Sequence, residues 1–177
     1  AISYELNLFD QANELVTTKK GLASLLPGQT RHEIISPIVV DKEVFKTEFK
    51  INDVVWERLK GFIPQSLFST KNQEYSRLTS GQGFSRLRAT LSNDSNFDFN
   101  RVDVHIVLFG ENGNVLAINR TDIRTFLAKT ARFIEVKWLK PFEGRVDRIE
   151  INAYTDVFKN ENFLKEHGIQ EKFQKLY

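Results

Sequence analysis

The feature that most restricts the fold is an alternation of apolar and polar side chains that recurs 100 residues later. Val102, Val104, Ile106 and Leu108 alternate with Asp103, His105 and Val107; Ile2, Tyr4, Leu6 and Leu8 alternate with Ser3, Glu5 and Asn7. Successive side chains of a strand point to opposite faces, so each segment predicts a strand with one face in a core. Leu8-Phe9 stands 100 residues before Leu108-Phe109, Leu15-Val16 before Val115-Leu116, and Phe49-Lys50-Ile51-Asn52 before Ile149-Glu150-Ile151-Asn152. An offset held across three separated blocks marks an internal repeat.

Glu111-Asn112-Gly113 is a reverse turn, because Asn and Gly tolerate positive φ, and it closes a hairpin over roughly 102–120. Further strands are predicted near 84–92, 101–109, 115–120, 131–138 and 147–155, with a loop over 93–98. That number and rhythm of short antiparallel strands fits an immunoglobulin-like sandwich. The expected fold class is all-β, as tandem immunoglobulin-like antiparallel β-sandwiches with a short C-terminal helical tail. Residues 1–62 form a partial unit and 63–75 a linker with Pro, polar residues and no period. Residues 76–158 form a second unit, and 159–177 the tail, with Phe163, Ile169, Phe173 and Leu176 on one helical face, Asn162 at its start and Gly168 interrupting it. The first unit opens in mid-domain. The counterpart of strand 84–92 would lie ahead of residue 1, which leaves strand Ile2–Phe9 with an open edge and the core beneath it uncovered. Three sources could fill it: upstream residues, the 63–83 segment folded back, or a strand from another molecule.

Strand 84–92, the Asn93…Asn96-Phe97 loop and the Val-x-Val-x-Ile-x-Leu-Phe strand ending at Leu108-Phe109-Gly110-Glu111 resemble the FxLYD-type bacterial domain. The likeness covers about 84–139, and it covers 1–52, with Leu8-Phe9-Asp10-Gln11, only as the later part of a domain. Phe9-Asp10 and Phe109-Gly110 stand where the family pattern has Tyr-Asp. The resemblance implies an immunoglobulin-like β-sandwich in an exported or membrane-anchored prokaryotic protein, extracellular or periplasmic and held to the envelope by a segment outside this chain. It carries no catalytic residues.

Composition narrows the function classes. With 41% hydrophobic and 27% charged residues the chain is a folded one rather than a disordered one. Cysteine is absent, which removes a disulfide framework, a thiolate nucleophile and Cys-ligated zinc, and there is no Cys…Trp…Cys pattern of a true immunoglobulin domain. The net charge of +2 is spread over mixed segments, so no field suited to nucleic acid exists. No apolar run is long enough for a membrane helix, so this segment is not expected to insert.

Chemistry-bearing residues do not gather. His32, His105 and His167 lie on different predicted elements, and a metal site needs converging ligands. Asp94 to Asn100 presents oxygens at alternate positions, as a calcium loop begins, but Phe99 stands where Gly is needed and His105 where Glu is needed. An Asx-rich turn satisfying its own backbone is the heavier reading. Ser80-Gly81-Gln82-Gly83 precedes a strand, so it reads as a turn rather than a dinucleotide loop. Asn93-Asp94-Ser95 and Asn119-Arg120-Thr121 match the glycosylation sequon. Trp138 and Trp56 are expected in cores. Arg86 and Arg88 share a face opposite Leu87, Ala89 and Leu91, and Arg101, Arg120, Arg124 and Arg132 extend a basic side. The expectation is therefore a non-catalytic structural or interaction module, not an enzyme, with no catalytic, cofactor-binding or metal-binding residues and no cofactor. Its partners would be other domains of the same parent protein or another surface protein. The alternatives are a carbohydrate-binding module, which needs two or more of Trp56, Tyr75, Trp138 and Tyr154 exposed in a row, or a subunit of a surface filament assembled by strand pairing.

Overall fold

The alternating segments form strands, and every strand pairing is antiparallel among the residues described by this computed structural model: 1–26, 29–56 and 68–165. These residues are almost entirely β and contain no α-helix. The chain divides into two units, Ala1–Phe62 and Ile63–Tyr177.

In the first unit β1 (Ile2–Phe9) lies between β2 (Leu15–Ala23) and β3 (Lys46–Val54). The expected open edge on Ile2–Phe9 is thus corrected: β1 is a centre strand, paired on both sides within its own chain. One face carries Glu5 paired with Lys20 at 2.7 Å, Glu48 paired with Lys46 at 2.7 Å, and Asn7, whose Oδ1 accepts from Thr18 Oγ1 at 2.7 Å. Tyr4, Leu6, Leu8, Phe49 and Ile51 alternate onto the other face. The Tyr4 hydroxyl donates to Glu33 Oε1 at 3.1 Å, which fastens the segment after β2 onto that face, and Ile34 beside it is buried.

The second unit has β4 (Phe68–Arg77), β5 (Ser85–Asn93) and β8 (Thr130–Trp138) in one sheet, in the order β4-β5-β8. In the other, β6 (Asp98–Gly110) is flanked by β7 (Val115–Phe126) on one side and by β9 (Val146–Tyr154) and the short β10 (Phe163–Lys165) on the other. The chain crosses between the sheets at β5–β6, β7–β8 and β8–β9. Leu87, Ala89 and Leu91 of β5, Val102 to Leu108 at alternate positions of β6, Ile123 and Phe126 of β7, and Ile134, Val136 and Trp138 of β8 join in one buried cluster. The two sheets therefore share a core, which is what strict alternation on both requires. Burial on β6 exceeds the one-faced expectation: His105, Val107 and Phe109 are buried too. As the centre strand, β6 is covered on its outer face by neighbours' side chains. The Tyr154 ring meets His105 edge-on at 5.2 Å, and the Arg148 guanidinium lies 3.9 Å from the Phe109 ring centroid.

Two hairpins match in their hydrogen bonding. Leu8 pairs with Thr17 and Phe9 with Leu15; Leu108 pairs with Ala117 and Phe109 with Val115, so the two hairpins share register and bulge at an offset of 100. Their turns match as well: Asp10 N–H donates to Glu14 O at 3.0 Å and Gly110 N–H to Asn114 O at 2.9 Å. Asn13 and Gly113 hold the positive φ, at 61° and 73°, that these turns need. The third block departs from the sequence reading. Leu6 pairs with Phe49 while Ile106 pairs with Ile151, an offset of 102 rather than 100. A two-residue slip keeps the same side chains on the same face, so the alternation tolerates it.

Two boundaries also change. Residues 68–75, expected as linker, belong to β4, which pairs along β5 with a register shift between Lys71 and Glu74; residues 63–67 lie outside the described residues. The tail does not begin as a helix. After a 3-10 turn at Asn160–Asn162, Phe163–Lys165 forms β10 on β6. Asn162 does not cap a helix; its Oδ1 accepts from Arg101 N–H at 2.9 Å and its Nδ2 donates to Asp156 O at 3.1 Å and to Thr155 Oγ1. Gly168, Ile169, Phe173 and Leu176 lie outside the described residues.

Candidate functional site

The residues singled out by chemistry stay dispersed. His32 is half-buried in the first unit, His105 is buried against Tyr154 in the second, and His167 lies outside the described residues. No group of three or more metal-ligating side chains occurs among the described residues. The Asp94–Asn100 oxygens are committed to local structure. Asp94 Oδ2 accepts from Ser69 Oγ at 2.5 Å, Asp98 Oδ1 from Ala128 N–H at 2.6 Å, and Ser95 Oγ donates to Asn93 Oδ1 at 2.6 Å. The Ser95–Asn93 bond lies within the turn, whereas Asp94 and Asp98 tie it to β4 and to the segment after β7.

Asn93 is the hub of that turn. Its Nδ2 donates to the carbonyls of Phe97, Phe126 and Leu127, and it is fully buried. A side chain so engaged is closed to glycan attachment. Asn119, of the second sequon, donates to Lys137 O at 3.0 Å and ties β7 to β8. The Gly81 and Gly83 turn has φ of +88° and +118° and leads into β5, as a turn rather than a phosphate loop.

Four arginines of the basic side, Arg86, Arg88, Arg101 and Arg124, are ion-paired. Glu135 on β8 receives Arg88 at 2.7 Å and lies 3.9 Å from Arg86; the Arg88 hydrogen bond, opposed in part by desolvation, holds its carboxyl below the ordinary range. Arg101 meets Asp103 and Arg124 meets Asp122, each at 2.7 Å.

The four aromatics proposed to read out sugar binding do not form an exposed row. Trp138 and Tyr154 are buried, and Trp138 Nε1 donates to Ile118 O at 2.9 Å. Tyr75 is partly buried with its ring against Trp138 at 6.3 Å. Trp56, expected in a core, is 88% exposed. Tyr75 Oη, Ser85 Oγ and Arg86 Nε are buried without a hydrogen-bond partner. The depression bounded by Val16, Thr17, Val39, Val40 and Asp41, about 330 Å³, offers a single carboxylate and no second titratable group.

One surface remains that the fold leaves unsatisfied. On the Tyr4 face of the first unit, Phe49 and Ile51 of β3 are 55% and 58% exposed. Their pairing equivalents on β9, Ile151 and Ala153, pack against the second unit's core. Tyr4 itself is buried: its ring lies over Gly21, where an added Cβ would come within 2.2 Å of it. Burial first, then the neighbouring Glu33 carboxylate, raise its phenol pKa. The sequence pointed to an unpaired edge and an uncovered core in this unit; the edge is filled, and apolar side chains of β3 stay exposed. Alternation alone does not show whether a strand lacks a neighbour in its sheet or a layer above it.

Comparison with protein-family models, curated proteins and solved structures finds no match to the chain.

Proposed function

We propose that the chain is a non-catalytic structural and interaction segment of an exported or envelope-anchored prokaryotic protein, built as tandem immunoglobulin-like β-sandwich units. The observation that carries this reading is the second β-hairpin reproducing the first at an offset of 100 residues, with the same register and the same bulge. Repeated modules in one chain suit spacing and presentation of surfaces, with other domains of the parent protein or another surface protein as partners. The strand order β4-β5-β8 facing β7-β6-β9, with crossings between sheets at three connections, supports an immunoglobulin-like reading. The resemblance of residues 84–139 to the FxLYD-type domain supports an extracytoplasmic setting.

The test is localisation combined with turnover. Antibody to the purified chain should label intact cells or their envelope fraction. Recovery only from the cytosol refutes the setting, and turnover of any defined substrate by the purified chain refutes the non-catalytic reading.

A further inference from the structure

We infer that the Tyr4 face of the β2-β1-β3 sheet is a docking face for a two-stranded antiparallel sheet patterned like β4–β5, carried ahead of Ile2 in the same polypeptide. The inference rests on the tandem-module reading and adds the identity of the layer that completes the first module.

The second unit shows what covers this face. Val104, Ile106 and Leu108 are fully buried beneath Leu87, Ala89 and Leu91 of β5 and Ile134, Val136 and Trp138 of β8. The covering strands have fixed places. β8 lies toward β7, because Trp138 Nε1 donates to Ile118 O and Asn119 Nδ2 to Lys137 O. β4 lies toward β9, because Arg77 Nη2 donates to Gly144 O, just before that strand.

Part of this face is covered already: Tyr4 and Leu8 of β1 are buried, although residues 29–45 form no strand equivalent to β8. Ile34 stands 100 residues before Ile134, both are buried, and Tyr4 holds the Ile34 segment through Glu33. What is uncovered is the other side, at β3, where Phe49 and Ile51 are exposed. In the second unit β4 and β5 cover that side. The deficit therefore lies on the side that those two strands cover in the second unit.

Chemistry and connectivity define the occupant. Its inner strand needs apolar side chains at alternate positions, like Leu87, Ala89 and Leu91, and polar ones between. Phe49 and Ile51 are bulkier than Ile151 and Ala153, so the strands above them need smaller side chains than β4 and β5 carry at those points. In the second unit only residues 94–97 join β5 to β6. A strand seated equivalently over β1 ends within the same short reach of Ile2, which favours a covalent connection over a separate molecule.

The chain has no cysteine, so a single introduced one reports on one position. Ile51→Cys in the full chain should react rapidly with a water-soluble maleimide. In a chimera with a copy of residues 68–100 spliced ahead of Ala1, its side chains above Phe49 and Ile51 cut back to Ala, the rate should fall by about tenfold or more. Glu48→Cys on the opposite face should react alike in both. Amide exchange across 46–54 in the cysteine-free pair supplies a second readout that does not depend on the substitution, and it should slow in the chimera. Equal labelling and equal exchange in chain and chimera overturn the inference. Labelling of the unextended chain that slows with concentration, alongside a dimer mass by light scattering, overturns it in favour of a second copy. A native polypeptide whose N-terminus, read by mass spectrometry, lies at Ala1 overturns the source. None of these readouts depends on cell location or turnover, so this inference and the proposed function fail separately.

Discussion

Asn93→Ala tests whether the second unit is held at one end by a single buried amide. The native Nδ2 donates to Phe97 O at 2.8 Å, Phe126 O at 3.1 Å and Leu127 O at 3.2 Å, while Oδ1 accepts from Ser95 N–H and Oγ–H. The residue is 0% exposed, so water does not replace these partners. A buried polar atom stripped of its hydrogen bond costs about 1–3 kcal/mol. With several atoms affected and a small void added, the expected loss is about 3–5 kcal/mol, at the high end for one substitution. At a urea slope of about 1–2 kcal/mol per molar, the unfolding midpoint should fall by about 2 M or more. Fluorescence of Trp138 follows the second unit, in a Trp56→Phe background that removes the only other tryptophan. Asn93→Asp should be at least as damaging at neutral pH, because it loses the donor and turns a carboxylate toward carbonyl oxygens. Ser95→Ala, which removes fewer partners, should cost about 1–2 kcal/mol. A midpoint for Asn93→Ala within about 0.5 M of the parent would refute the reasoning.

Gly21→Ala should destabilise the first unit by about 1–3 kcal/mol, because the new methyl meets the Tyr4 ring at 2.2 Å; faster amide exchange along β1 and β2 would show it. The second unit pairs Val104 with Thr121 at the equivalent place, so Gly21→Thr combined with Tyr4→Val should recover part of the loss. Trp138→Phe should lower the second unit's stability by about 1–3 kcal/mol, through the lost bond to Ile118 O and the lost ring volume, measured by thermal unfolding. Asp10, Glu48 and Glu135 all titrate below their ordinary values, chiefly through bonds from the Glu14 N–H, Lys46 and Arg88 respectively. Each binds its proton more weakly folded than unfolded, so their stabilisation is present above the ordinary carboxylate range and lost as pH falls through the lowered values. The thermal midpoint should therefore decline below about pH 4, and a flat profile there would contradict the pairings.

Sequence alone determined most of the strands and the hairpins β1–β2 and β6–β7. Alternation reports directly which side chains face a core, and the turns at Asp10–Glu14 and Gly110–Asn114 need residues that accept positive φ. The 100-residue spacing was legible because hairpin register depends on local turn length. Tertiary structure decided what local pattern does not encode. It placed β1 at the centre of its sheet, since β3 arrives from a distant segment. It slipped the third strand by two residues without moving a side chain to the other face. It drew Phe68–Tyr75 into β4, where pairing with β5 outweighs a polar and aperiodic sequence. It also buried Asn93 as a hub, a role that its sequon spelling does not suggest. The candidate docking face was half legible. The repeat pointed to an unpaired edge and an uncovered core; the structure filled the edge and left Phe49 and Ile51 exposed beside a buried Ile34, because burial depends on what the whole chain brings overhead.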